Sequence, residues 1–151
     1  MKTPADYPKL NLPACRLRVA ERSGELCVWD TARGRWLRLS PEEWVRRHVL
    51  GWLTGQLGVS AAAISQEHPV EVGGTAQRAD IVVSDRAGRP LLVVECKAPE
   101  VAISDAVLAQ AFRYNAVLGA PYVILTNGLD HYIYKVTAGE YTPLSCLPPL
   151  V

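Results

Sequence analysis

The sequence has 151 residues, 49% hydrophobic and 21% charged, with a formal net charge of +1; this length and balance suit one folded domain and exclude a disordered chain. The longest apolar runs, residues 90–94 and 122–125, fall far short of the ~20 residues of a membrane span, and residues 1–10 lack the basic and apolar regions of a signal peptide, so a cytoplasmic protein without membrane contact is expected. Scattered Cys15, Cys27, Cys96 and Cys146 and isolated His48, His68 and His131 give neither a zinc site nor a disulfide framework.

Pro4, Pro8 and Pro13 are spaced too closely for a regular helix and predict an extended arm. Residues 16–21, 25–30 and 35–39 alternate in polarity and are separated by Ser23-Gly24 and Ala32-Arg33-Gly34, which predicts a small antiparallel meander. Arm and meander together fill residues 1–39. Residues 1–50 carry ten Lys and Arg against six Asp and Glu, whereas the remainder carries six against nine. Twelve of the sixteen basic residues are Arg, a planar fork that suits phosphate. Arg33, Arg35 and Arg38 are therefore candidates for phosphate contacts, with a solvated turn as the alternative. Trp29, Trp36, Trp44 and Trp52 sit at strand and helix spacing and read as core, with base stacking as the alternative.

Ser40-Pro41-Glu42-Glu43 predicts a helix start, in which Ser40 caps, Pro41 fills the first turn and Glu43 occupies the capping-box position. Val45, Val49, Trp52 and Leu53 recur at helical spacing until Gly58, and Glu42 shares their face, an unusual place for a carboxylate. Residues 67–72, 77–84 and 90–97 then predict three strands, the last two joined by the tight connection at residues 85–89. Ser104 caps a second helix running to about Leu118, ended by Gly119 and Pro121. Residues 122–126 and 131–136 predict two further strands joined by an Asn127-Gly128 turn, and residues 137–151 form a C-terminal tail in which Pro143 to Val151 read as loose.

The strand from Leu91 to Val94 is wholly apolar and ends in Glu95-Cys96-Lys97, so a carboxylate and an ammonium leave one face and Cys96 the other. The hairpin turn returns the chain so that Asp80 approaches Glu95. Two converging carboxylates raise each other's pKa unless a cation joins them, and Mg²⁺ or Mn²⁺ suits such an oxygen site. Lys97 beside that cation is placed to orient the attacking water and to stabilise charge on a phosphate. The bland alternative is a salt-bridged strand end, with Asp80 paired to Arg78 or Arg89.

Asp80 followed by Glu95-Cys96-Lys97 at the end of an apolar hairpin resembles the D…ExK signature of PD-(D/E)XK nucleases. Gln110 and Tyr114, four apart on one helix face, resemble the QxxxY motif of the RecB-like branch. The wording of residues 41–50, 78–100 and 114–132 is similar to the N-terminal nuclease domain of type I restriction enzyme R subunits, over residues 11–136. The resemblance implies an α/β (α+β) restriction-endonuclease-like core over residues 40–136, a central mixed sheet flanked by helices in the order αβββαβ. It implies Mg-dependent endonuclease activity on DNA, with Asp80, Glu95, the backbone carbonyl of Cys96 and Glu42 at the metal and Lys97 catalytic, alongside Gln110 and Tyr114. Glu42 is preferred to Glu43 on helix phase and on the matching of Glu42-x-x-x-Arg46, Glu43 being explained as a capping residue. Full R subunits carry a helicase motor that 151 residues do not accommodate, so a helicase or translocase partner, or a homodimer, is expected. The alternatives are a catalytically idle nucleic-acid-binding or partner-binding module with the same fold, and a regulatory subunit whose meander docks a motor protein.

Overall fold

The computed structural model describes residues 3–150. Its N-terminal arm is irregular apart from one 3₁₀ turn, Pro4–Asp6. Strands β1 (Val19–Arg22), β2 (Glu25–Asp30) and β3 (Arg35–Arg38) form the expected antiparallel meander as a separate three-stranded sheet. Helix α1 (Pro41–Gly55) follows, then β4 (Ile64–Val72), β5 (Thr75–Ser84), β6 (Pro90–Cys96), helix α2 (Asp105–Leu118), β7 (Tyr122–Thr126), β8 (His131–Thr137) and β9 (Glu140–Leu144). The fold is α+β: β4 to β9 form one mixed sheet in sequential order, parallel only between β6 and β7. That parallel pair requires a crossover, and α2 supplies it.

Strand alternation assigns the two helices to opposite faces of the sheet. Val45, Val49 and Leu53 of α1 pack with Ile81, Val83, Leu92, Val94, Cys96 and Ile124. Ala111 and Tyr114 of α2 pack with Val82, Val93 and Val123 on the other side. Both helix starts follow the sequence: Ser40 Oγ accepts from Glu43 N–H at 3.1 Å and Ser104 Oγ from Val107 N–H at 3.3 Å, and Gly119 closes α2 in the left-handed conformation at φ +72°.

Two local expectations are corrected. The capping box at α1 is only half made, because the Glu43 carboxylate turns to Arg47 Nε at 2.8 Å while Ser40 N–H donates to Arg38 O. The β7–β8 connection falls where expected, at Asn127-Gly128, and the Asn127 side chain holds it by accepting from the Leu129 and Asp130 N–H groups. The C-terminal tail contains a strand, β9, that reaches into the stretch expected to be loose, and residue 151 lies outside the described residues. Ala138 and Gly139, both at positive φ, make a two-residue turn that pairs β9 with β8, and Tyr141 stacks on Phe112 of α2 at 3.9 Å between ring centroids. Among the described residues no helix is long and apolar enough to cross a membrane.

Candidate functional site

The backbone ladder between β5 and β6 runs from Ser84 to Ile81, where Ile81 pairs with Val94, and stops there. One position on, Asp80 and Glu95 face each other, and their side chains take over as acceptors. Asp80 N–H donates to Glu95 Oε1 at 3.0 Å, and Cys96 N–H donates to Asp80 Oδ2 at 2.7 Å. The strands splay at this row, and the carboxylates satisfy the N–H groups that the ladder leaves unpaired.

The same row is interrupted on β4. Gln66 pairs with Ile81 and His68 with Ala79, leaving Glu67 across from Asp80 with φ +48°. A left-handed glutamate within a strand costs about 1–3 kcal/mol and persists only when its neighbours hold it. The meander does the holding: Arg33 Nη1 donates to Glu67 Oε2 at 2.6 Å, and Arg35 Nη2 lies 3.6 Å from the same oxygen. Glu67, Asp80 and Glu95 thus form an acidic row across three adjacent strands.

Burial and the neighbouring Asp80 carboxylate push the Glu95 carboxyl up to about 8. Asp80 is also raised, by burial, against the pull of the Cys96 N–H and of Arg46. Half-buried Glu42 on α1 is raised by burial and by Asp80, with Arg46 and Lys97 pulling the other way. Three carboxyls that each resist ionisation therefore converge from α1, β5 and β6. Glu43, the other candidate on α1, is held by Arg47 at 2.8 Å and Arg46 at 3.7 Å.

Arg46 is the cation already among these acids. Its Nη2 lies 3.3 Å from Asp80 Oδ1 and 3.8 Å from Glu42 Oε1, and its Nη1 lies 3.7 Å from Glu43 Oε1 and 3.6 Å from Glu67 Oε1. Burial opposes its charge, but the Glu43 and Asp80 carboxylates outweigh burial and raise its pKa. Its Nε and Nη1 are buried without a hydrogen-bond partner, so these ion pairs lack the geometry of a tight fork. Asp80 pairs with Arg46, and neither Arg78 nor Arg89 takes that place; Arg89 instead bonds Asp85 at 3.1 Å.

Lys97 leaves the end of β6 on the Glu95 side and donates from Nζ to Gln110 Oε1 at 3.3 Å. Gln110 Nε2 donates to Tyr114 Oη at 3.1 Å, and Tyr114 Oη donates to Gln77 Oε1 at 2.8 Å. A chain of side chains therefore runs from α2 to β5 and steadies the ammonium. The Cys96 side chain is fully buried in the α1-side core, its thiol pushed far up by that burial, so only its backbone is available to the site.

The donors are of the kind a hard divalent cation takes: the carboxylates of Asp80, Glu95 and Glu42, each with a raised pKa. Among the described residues no three His, Cys, Asp or Glu side chains are already gathered to hold a metal, and Arg46 stands among the acids instead. Glu67 and Gln77 escaped the reading of the sequence, and Arg46 entered it only as the match four residues after Glu42. Glu67 was within reach of counting: the Gly73-Gly74 turn, with φ of +58° and +80°, fixes a register in which residue 67 faces residue 80.

The family model for the type I restriction enzyme R protein N terminus matches residues 41–148. Among solved structures, a fragment described as an HsdR subunit of a type I restriction enzyme from Vibrio vulnificus YJ016 is similar, with 26% identity and a TM-score of 0.45 over 58% of this chain. The match spans 19% of that structure's chain. No curated protein matches significantly.

Proposed function

Because the chain belongs to the family of type I restriction enzyme R protein N termini, we propose that it is a PD-(D/E)XK nuclease that hydrolyses DNA phosphodiester bonds with a divalent cation, Mg²⁺ or Mn²⁺. The observation that carries this reading is the splayed row in which Asp80 and Glu95 meet, with Lys97 leaving the same strand end. Asp80 and Glu95 would hold the cation, with the Cys96 carbonyl and Glu42 completing the oxygen donors. Bound there, the cation supplies Lewis acidity toward phosphate and water. Lys97 contributes a compact positive charge for the phosphate in the transition state and a donor that orients water. Gln110 and Tyr114 position that ammonium through their hydrogen-bond chain. Delivery of the DNA by a helicase or translocase partner belongs to the same proposal.

The test is cleavage of plasmid, linear and branched DNA with and without Mg²⁺ or Mn²⁺, run beside thermal unfolding with the same cations. Wild type should cleave and melt higher with cation, because a ligand of the native state alone stabilises it. Asp80→Ala should lose both responses. Lys97→Ala should keep the melting shift and lose most cleavage, since its contacts belong to the transition state; equal cleavage by wild type and Lys97→Ala would sink the assignment.

A second reading, a catalytically idle binding module with this fold, is favoured by the Arg46 guanidinium already paired with Asp80. It predicts no melting shift at millimolar cation and no cleavage of any substrate.

A further inference from the structure

The three-stranded sheet has two unlike faces. Register sets Val28 and Asp30 on one, both buried, with Asp30 3.5 Å from Arg47 of α1. The opposite face carries Arg22 on β1, Trp29 on β2, and Trp36 and Arg38 on β3; Arg18, just before β1, joins them through its carbonyl bond to Trp29 N–H. Trp29 and Trp36 meet edge to face at 5.3 Å. The Arg18 guanidinium lies 5.1 Å from the Trp29 ring and 5.3 Å from the Trp36 ring, and the Arg22 guanidinium 5.3 Å from the Trp36 ring. The indoles are half-buried, neither plain core nor open surface, and serve as a bed for exposed arginines.

We propose that this arginine-covered face, with Arg18, Arg22 and Arg38, is a sequence-independent docking platform for the phosphate backbone of duplex DNA. The choice of DNA rests on the nuclease reading above; the choice of surface rests on charge and preorganisation. A guanidinium resting on an indole has already lost much of its rotamer freedom, so meeting a phosphate costs little further ordering. Its N–H groups remain free for phosphate oxygens. Opposing charge on this face comes from Glu25, which lies 3.7 Å from Arg38. The indole faces are already occupied by Arg18 and Arg22, which disfavours base stacking by a single strand and favours backbone contact. The meander also ends beside the acidic row, since Arg33 and Arg35 reach Glu67, across from Asp80. Arg33 is consumed there by Asp30 and Glu67, so phosphate binding shifts from the turn to Arg18 and Arg22.

The experiment is fluorescence anisotropy of labelled duplexes of unrelated sequence with the full chain in EDTA, over a salt series. Cleavage plays no part in this readout, so a failed nuclease assay and a failed platform are separate results. Each phosphate contact contributes about 0.9 to the slope of log affinity against log salt. Arg18→Gln with Arg22→Gln should lower that slope by about 1.8 and weaken all duplexes alike, whereas Arg18→Lys with Arg22→Lys should retain most of it. Glu25→Gln, an exposed change that spares the arginines, should tighten binding and gives an independent reading if the double variant unfolds. An unchanged slope in the double Gln variant with a native melting curve would overturn the proposal. So would tighter binding of single strands with quenching of Trp36 fluorescence, which marks base stacking, or a Glu25→Gln variant that binds no better.

Discussion

Asp30 and Glu95 are equally hidden, at 1% and 4% exposure, yet their carboxyls move in opposite directions. Burial pushes Asp30 up, but the Arg33 hydrogen bond and the Arg47 charge outweigh it and hold the group below the ordinary range. Glu67 behaves alike: burial is overcome by Arg33 and Arg46. At Glu95 burial is reinforced by Asp80, and the Asp80 N–H and Lys97 do not offset it. The seam between meander and core is thus an acid cluster with its cations built in, whereas the end of β6 is an acid cluster short of positive charge. An ion-pair network that satisfies itself needs no further role, whereas carboxylates whose charge is only partly offset are candidates for chemistry.

The sharpest way to break this contrast is to remove one acid from each cluster. Asp30→Ala takes a buried carboxylate from Arg33 and from Arg47, which keeps only Glu43 as counter-charge, and should cost about 3 kcal/mol in urea unfolding. Glu95→Gln removes an uncompensated charge and keeps an acceptor for Asp80 N–H, so without cation it should stabilise the protein at pH 9 by on the order of 1 kcal/mol. Destabilisation by both changes alike would show that the clusters do not differ.

Melting without cation across pH sharpens the same point. The folded-state pKa of Glu95 lies above its ordinary 4.5, so its contribution is fully present below pH 4.5 and is lost as pH rises through about 8. Asp30 is shifted down from 3.8, so its contribution is present above that value and is lost as pH falls through the depressed pKa. Wild type and Glu95→Gln should therefore diverge on the alkaline side, and wild type and Asp30→Ala should converge in acid. The smallest effect concerns backbone strain: Glu67→Gly and Glu67→Ala lose the same ion pairs, but glycine accepts the positive φ, so it should be the more stable by about 1 kcal/mol.

Local rules made much of the fold readable. The capping serines, the Gly119 stop, the Gly24 and Gly88 turns and the apolar alternation of β5 and β6 each depend on a few adjacent residues, and each element formed close to where it was expected. Asp80, Glu95 and Lys97 were conspicuous because charge interrupts an apolar run. Arg46 was noticed only for its spacing from Glu42, because an arginine on a helix is ordinary until tertiary packing sets it against a sheet carrying acids. Glu43 misled for a related reason: a capping box and a buried ion pair ask for the same residue at the same position, and the choice fell to Arg47, one helical turn away. β9 was missed because Pro143 and a polar composition disguise an edge strand, where a proline is tolerated.

The acidic row also has a place in time. Glu67, Asp80 and Glu95 lie on three consecutive strands joined by two tight turns, so contacts close in sequence assemble it. Hairpins of this kind form in about 1–10 μs, whereas the parallel β6–β7 pair waits for the α2 crossover and Arg46 waits for α1 to dock. During folding the chain therefore gathers like charges before it brings the guanidinium that separates them. A cation that screens the row at that stage should quicken refolding itself, so the chevron of the protein in Mg²⁺ should shift on its folding arm as well as its unfolding arm.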